Sequence, residues 1–297
     1  MSSGTGSRRG TGRVAVVTDS TAGLPADLVS AHRLTVVPLT VTIDGVAGRE
    51  GTDVSPADVA KALAAKRVSV TTSRPSPGEF AAVYDRLLAA GASGIVSVHL
   101  SGKLSGTCDA ARLAATEYPD RVAVVDSRST GLGLGFCALA AAGAADLPTA
   151  VAAAEAAAGR ISTLFYVDTL EYLRRGGRIG AASALLGTAL SVKPILHMVD
   201  GEIVVRDKVR TASRALTRLE DLAVEAAGDQ VEIGVHHLAA AERADALTAR
   251  LRERLGERLR ACYESEIGAA VGAHVGPGLL SVVVHRLSTS TLAVHRS

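Results

Sequence analysis

Two short polar segments are suited to holding one anion between them: Thr71-Thr72-Ser73-Arg74-Pro75-Ser76 and Ser101-Gly102-Lys103-Leu104-Ser105-Gly106-Thr107. Each follows an apolar run that reads as a strand, and each runs into a helical pattern. A strand-loop-helix junction leaves backbone N–H groups unpaired and points the positive end of a helix dipole at the loop. Hydroxyls there add donors without adding charge, which suits a monoanion such as a carboxylate better than a triphosphate. The same Ser and Thr types also cap helices with no ligand involved.

Other residues with chemical capacity are more scattered. The eight histidines are His32, His99, His197, His236, His237, His274, His285 and His295. They lack metal-ligand spacing, and neighbours at 236 and 237 point to opposite faces of a strand. His274 precedes Val275-Gly276-Pro277-Gly278, which reads as a tight turn, and an imidazole held there can donate to an anion. Arg174, Arg175 and Arg178 surround the Gly176-Gly177 break. Such a break turns the chain sharply, so the arginines could fan around a phosphate or face an acidic partner. There is no Walker loop, no Gly-x-Gly-x-x-Gly after the first strand, no His-Glu-x-x-His and no Gly-x-Ser-x-Gly elbow.

The elements that must position these residues alternate in type. Strands are expected at 14–18, 34–43, 95–100 and 122–125, with helix starts at Ser55-Pro56 and Ser76-Pro77, each with an acid three residues after the Ser. The small apolar stretch 131–145 reads as a buried helix. From about residue 161 the pattern continues with strands at 162–167, 191–198, 202–206, 231–236 and 279–284, and helices at 212–227 and 242–260. In the last helix Leu247, Leu251, Leu255 and Leu259 are spaced by four, and the interleaved arginines and acids read as a solvated face. This alternation predicts an α/β protein with a mainly parallel sheet in its N-terminal half. Ligands of such sheets bind beyond the carboxyl ends of the strands.

Composition narrows the function classes. The chain has 297 residues with 32 basic and 30 acidic side chains, so it carries no global field for nucleic acid. Aromatics make up 3% and Trp is absent, which argues against base-stacking platforms. The three cysteines, Cys108, Cys137 and Cys262, are widely spaced, which reads as reduced thiols in the cytoplasm. No apolar run of about 20 residues exists to span a membrane.

Taken in order, Asp19-Ser20-Thr21, Thr72-Ser73-Arg74-Pro75-Ser76, Leu104-Ser105-Gly106-Thr107, Asp126-Ser127, residues 173–179, Lys193-Pro194-Ile195-Leu196 and residues 274–278 resemble the DegV family of bacterial fatty-acid-binding proteins. The resemblance runs from about Val14 to His285. It implies two α/β domains with a long-chain fatty acid between them, here 14–160 and 161–287, flanked by a disordered N-terminus 1–13 and a flexible tail 288–297. It further implies that Thr72, with Ser73 beside it, and Ser105 hold the carboxylate, with His274 nearby. Some members carry the acid to a separate fatty-acid kinase, and Arg174, Arg175 and Arg178 resemble part of that docking surface. No cofactor and no catalysis by the chain itself are expected. Two positions depart from the family: Arg74 stands where Gln is usual, and Ser191-Val192 where Asn-Ile is usual. The competing reading is an acyl hydrolase or transferase using Ser105 or Cys108 with His274. A third is a phosphate sensor built on the arginine loop. Residues 184–196, a small apolar stretch that includes Ala189, are expected to shape the tail cavity.

Overall fold

The computed structural model describes residues 12–65, 68–185 and 192–288. The expectations for the extreme N-terminus, for residues 289–297, and for Ala189 and Ser191 fall outside the described residues.

The N-terminal half runs β1 (Val14–Asp19), α1 (Ala26–Ala31), β2 (Thr35–Val37), β3 (Thr40–Ile43), β4 (Val46–Arg49), α2 (Pro56–Ala64), β5 (Val70–Ser73), α3 (Pro77–Ala89), β6 (Gly94–His99), α4 (Thr107–Ala115), β7 (Val122–Asp126), α5 (Leu132–Ala141) and α6 (Leu147–Ala158). The C-terminal half runs β8 (Ile161–Tyr166), α7 (Glu171–Arg175), β9 (Lys193–Val199), β10 (Glu202–Val209), α8 (Ala212–Ala226), β11 (Val231–His237), α9 (Ala241–Leu255), β12 (Leu259–Glu266), α10 (Ala269–Val275) and β13 (Leu280–Arg286).

The first half holds a four-stranded parallel sheet, order β2-β1-β6-β7, as the alternation predicts. Its strands alternate between two helical layers. Val14, Val16, Val96 and Val98 pack with Leu134 and Ala138 of α5 and Ala150 and Ala154 of α6. Val17 and Ile95 pack with Phe80 and Tyr84 of α3 and Ala110, Ala111 and Ala114 of α4. The second half holds a six-stranded mixed sheet, order β10-β9-β8-β13-β11-β12, in which only β11 and β12 pair in parallel. Its helix-facing side chains, among them Leu164, Ile233, Val235 and Val282, bury against α8 and α9. Helix α5 lies between the sheets, with Leu132 and Phe136 packed on Val283 of β13. A helix buried on both sides must be apolar all round, and its sequence is Leu-Gly-Leu-Gly-Phe-Cys-Ala-Leu-Ala-Ala.

Four local readings are corrected. The expected strand at 34–43 is two strands in two different sheets, β2 in the parallel sheet and β3 at the centre of a three-stranded antiparallel sheet, β4-β3-β5. Pro38 lies between them, and a residue without an N–H cannot carry a ladder through. The helix expected to reach residue 260 ends at Leu255, because Gly256 takes φ +51°. Leu259 therefore begins the strand β12, an edge strand whose charged residues hide it from an apolar-run reading. His274 lies in the last turn of α10, with the turn following at Gly276 and Gly278 (φ +75° and +87°). Finally, Thr71, Thr72 and Ser73 are inside strand β5, paired with β3, so no helix N-terminus presents Thr72.

Candidate functional site

A cavity opens between the carboxyl edge of the parallel sheet and the face of the second sheet that α8 and α9 leave uncovered. It holds about 820 Å³ of atom-free space, mouth included. Strand alternation decides what faces it: Thr163 and Phe165 of β8, Met198 of β9 and Ser281 of β13 turn inward, while Leu164, Ile195 and Val282 turn to the helices. Ile203, Ile267, Val271 and Leu279 complete much of the apolar wall. None of the described residues at 184–196 lines it; Ile195 and Leu196 are fully buried in cores instead.

Thr72, Ser105 and His274 meet in this wall. The Thr72 hydroxyl lies 2.8 Å from His274 Nε2. Burial first, and then the Arg178 guanidinium, push the His274 imidazole down to about 4, so the ring is neutral near pH 7. Its Nδ1 is buried without a hydrogen-bond partner among the described residues. Gly176 closes over that atom; a Cβ there would lie 2.1 Å from Nδ1. With the proton on Nε2, His274 donates to Thr72 Oγ1, and the Thr72 O–H is free to donate into the cavity.

Ser105 is the last residue but one before α4. Its Oγ accepts the Thr107 N–H at 3.3 Å and lies 2.9 Å from the Thr107 hydroxyl. With Thr107 as donor, the Ser105 O–H also points free. Ser73 points elsewhere: as the neighbour of Thr72 on a strand it faces the opposite side, is exposed and does not line the cavity.

The three loop arginines do not share one spot. Arg174 and Arg175 both pair with Glu171, at 2.7 and 2.8 Å, on the exposed surface. Arg178 turns inward, lines the cavity and donates to the Leu104 carbonyl at 3.1 Å and to the Gly176 carbonyl. Arg74 lies against Gly106, the residue after Ser105: a Cβ on Gly106 would meet its Nη1 at 1.8 Å.

Several supports were not readable as motifs. Asp19 and His99 are fully buried and joined at 2.9 Å, and His99 Nε2 lies 2.7 Å from Ser97 Oγ. These distances resemble a Ser-His-Asp triad. Ser97, however, is fully buried, takes a hydrogen bond from the Tyr84 hydroxyl at 2.9 Å and does not line the cavity. The network instead fixes two wall residues, because Asp19 accepts the Thr21 N–H and O–H and the Leu100 N–H. Glu50, whose carboxyl burial raises above its ordinary range, accepts the Ala270 N–H at 2.8 Å at the start of α10. Cys108 is fully buried with its thiol pushed up by burial to about 12, and it does not line the cavity.

A cavity with an apolar wall, the Thr72 and Ser105 hydroxyls and a neutral imidazole can take a small amphipathic anion. The chain belongs to the DegV family: the family model, described as an uncharacterised protein of the DegV family, matches residues 13–287. A DegV domain-containing protein of Streptomyces coelicolor is 55% identical, over 91% of this chain and 98% of its own length. A DegV family protein of Thermus thermophilus, described for its fatty-acid binding, shares 34% identity and a TM-score of 0.85 over 93% of this chain and 100% of its own. DegV of Bacillus subtilis, described as a fatty-acid-binding protein, shares 32% identity and a TM-score of 0.82 over 92% and 99%.

Among the described residues, no group of three or more His, Cys, Asp and Glu side chains could hold a metal, and no helix is long and apolar enough to cross a membrane.

Proposed function

We propose that this protein binds a long-chain fatty acid in the cavity, with the carboxylate at Thr72 and Ser105, and carries it to a separate fatty-acid kinase in the cytoplasm. The observation that carries the reading is the Thr72–His274 contact beside Ser105 at the polar end of an apolar cavity. Solved relatives above 30% identity that are described as fatty-acid-binding support it. In this reading the Thr72 and Ser105 hydroxyls each donate to one carboxylate oxygen, and Arg178 adds a positive charge in the same wall. Each charge-assisted hydrogen bond contributes about 1.5–3 kcal/mol before the carboxylate's desolvation. A chain of ~15 methylenes, at about 0.8 kcal/mol each, contributes roughly 12 kcal/mol gross, offset by several kcal/mol of association entropy. The tail supplies most of the affinity, and the hydroxyls fix orientation and select for an acid.

The hydrolase reading finds no support in the geometry. His274 Nε2 is engaged with Thr72, and no hydrogen bond among the described residues joins it to Ser105 or Cys108, as nucleophilic catalysis requires. In the carrier reading the exposed Arg174–Arg175 pair faces the kinase, and Arg178 belongs to the head-group end.

Calorimetry with hexadecanoate on Thr72→Ala/Ser105→Ala tests the site. The double variant should keep its circular dichroism spectrum and bind the acid about 10²-fold or more weakly, given two lost charge-assisted bonds. Wild-type affinity in that variant would move the carboxylate elsewhere.

A further inference from the structure

Besides Thr72, Ser105 and His274, the cavity wall carries further polar residues: Thr21, Thr130, Thr163, His236 and Ser281. Four of these five are occupied. The Thr21 hydroxyl donates to Asp19 at 2.5 Å, the Thr163 hydroxyl lies 3.1 Å from that of Ser129, and Ser281 donates to the Leu164 carbonyl at 3.1 Å. His236 Nε2 accepts the Leu132 N–H at 2.8 Å. The Thr130 hydroxyl is different. Thr130 lines the cavity, and its hydroxyl oxygen is buried with no hydrogen-bond partner among the described residues. A buried hydroxyl left unpaired is unfavourable, and a saturated hydrocarbon chain would leave it unpaired.

The wall is also thin at this point. Thr163 and Met198 line both the cavity and a separate recess of about 610 Å³ of atom-free space, mouth included. That recess is polar, lined by Ser127, Arg128, Ser129 and Asp200 among others. Arg128 takes φ +52° and makes no ion pair among the described residues. Arg128 lines the recess and not the cavity, and Arg178, which does line the cavity, donates to the Leu104 and Gly176 carbonyls.

We infer that the cavity accommodates a long-chain acid carrying an uncharged oxygen, a hydroxyl or keto group, along its chain, hydrogen-bonded to the Thr130 hydroxyl. The inference rests on the fatty-acid reading and deepens it by naming a class of ligand. Thr130 can donate to either oxygen and can accept from a chain hydroxyl. The ligand oxygen's remaining capacity can be met by water from the recess side of the shared wall.

Calorimetry of the full chain with hexadecanoate and a set of hydroxyhexadecanoates, the hydroxyl at carbon 3, 10, 12 or 16, tests this, with hexadecanedioate as a charged control. The expected result is one hydroxyl position at which affinity equals or exceeds that for hexadecanoate. The ratio of the two affinities should fall about tenfold in Thr130→Val, as for one lost hydrogen bond, and return in Thr130→Ser. If every hydroxy acid binds more weakly than hexadecanoate by a factor that Thr130→Val does not change, the inference is overturned while the fatty-acid reading stands. A preference for the dicarboxylate alone also overturns it. If hexadecanoate itself does not bind, the fatty-acid reading fails and this inference falls with it.

Discussion

Arg178 and its neighbours Arg174 and Arg175 differ in what each guanidinium can still do. Arg174 and Arg175 are exposed and share Glu171, so each contributes little to stability. Arg178 holds two carbonyls that shape the wall beside Ser105 and has no carboxylate partner among the described residues. Its removal would strip a positive charge from the cavity wall and leave the Leu104 and Gly176 carbonyls without that donor. Arg178→Ala should therefore weaken hexadecanoate binding by about tenfold, the scale of one charged hydrogen bond. Arg174→Ala/Arg175→Ala should bind the acid as wild type does and slow its phosphorylation by a partner kinase, more steeply at high salt. Lipid binding and kinase turnover measured on both proteins separate these roles. Undiminished acid binding in Arg178→Ala would return that residue to the docking surface.

At the scale of elements, the cavity wall around His274 depends on how α7 meets α10. Helix α10 is held at its start by Glu50 and carries His274 in its last turn. The α7 end packs on both sides of that turn. Gly176 approaches the imidazole, and Gly276 (φ +75°) leaves room for the Tyr172 ring, which a Cβ would meet at 2.0 Å. Backbone this close to an aromatic ring admits no side chain. Gly176→Ala would press on His274 Nδ1 and turn the ring away from Thr72. The expected outcome is a loss of acid affinity of about tenfold or more, with a melting temperature lowered by only a few degrees, since a local overpacking costs about 1–3 kcal/mol. Unchanged affinity in that variant would show that His274 does not orient Thr72.

Across the whole molecule, His236 ties the halves together. It comes from β11, accepts the first N–H of α5 and is 1% exposed, while a Cβ on Gly23 or Gly131 would meet its ring within 3 Å. Ser265 adds a hydrogen bond to the Gly23 carbonyl at 3.2 Å. Burial pushes His236 down to about 4, as it does His274. Both rings are near 6.5 when unfolded, so between pH 4 and 6.5 the unfolded chain binds more protons than the fold does. Stability therefore rises with pH through that window and is lost as pH falls below 6.5. Each ring accounts for about 2 kcal/mol by pH 5, at about 1.4 kcal/mol per pH unit. Glu50, raised by burial, acts in the opposite direction. Urea unfolding at pH 7.5 and pH 5 should show His236→Gln losing less stability than wild type over that interval. Equal losses would mean that His236 does not titrate on unfolding.

The sequence by itself determined the local elements with strong periodicity, the parallel sheet and the hydroxyl, histidine and arginine candidates, because those follow from side-chain pattern and cap chemistry along a few residues. It also carried the family resemblance, through motifs in a fixed order. It could not separate β2 from β3 into different sheets or detect β12, since sheet membership depends on partners far away in the chain. It placed Thr72 at a helix start, whereas the antiparallel pairing with β3 presents it. Tertiary structure alone decided that Thr72 meets His274, 202 residues later in the chain, that Arg178 turns inward while its neighbours stay out, and that Ser73 faces away. It also decided which wall hydroxyl is left without a partner. Those outcomes depend on hydrogen bonds and close approaches between elements, and a hydrogen bond is set by distance and direction that no local pattern of residue types encodes.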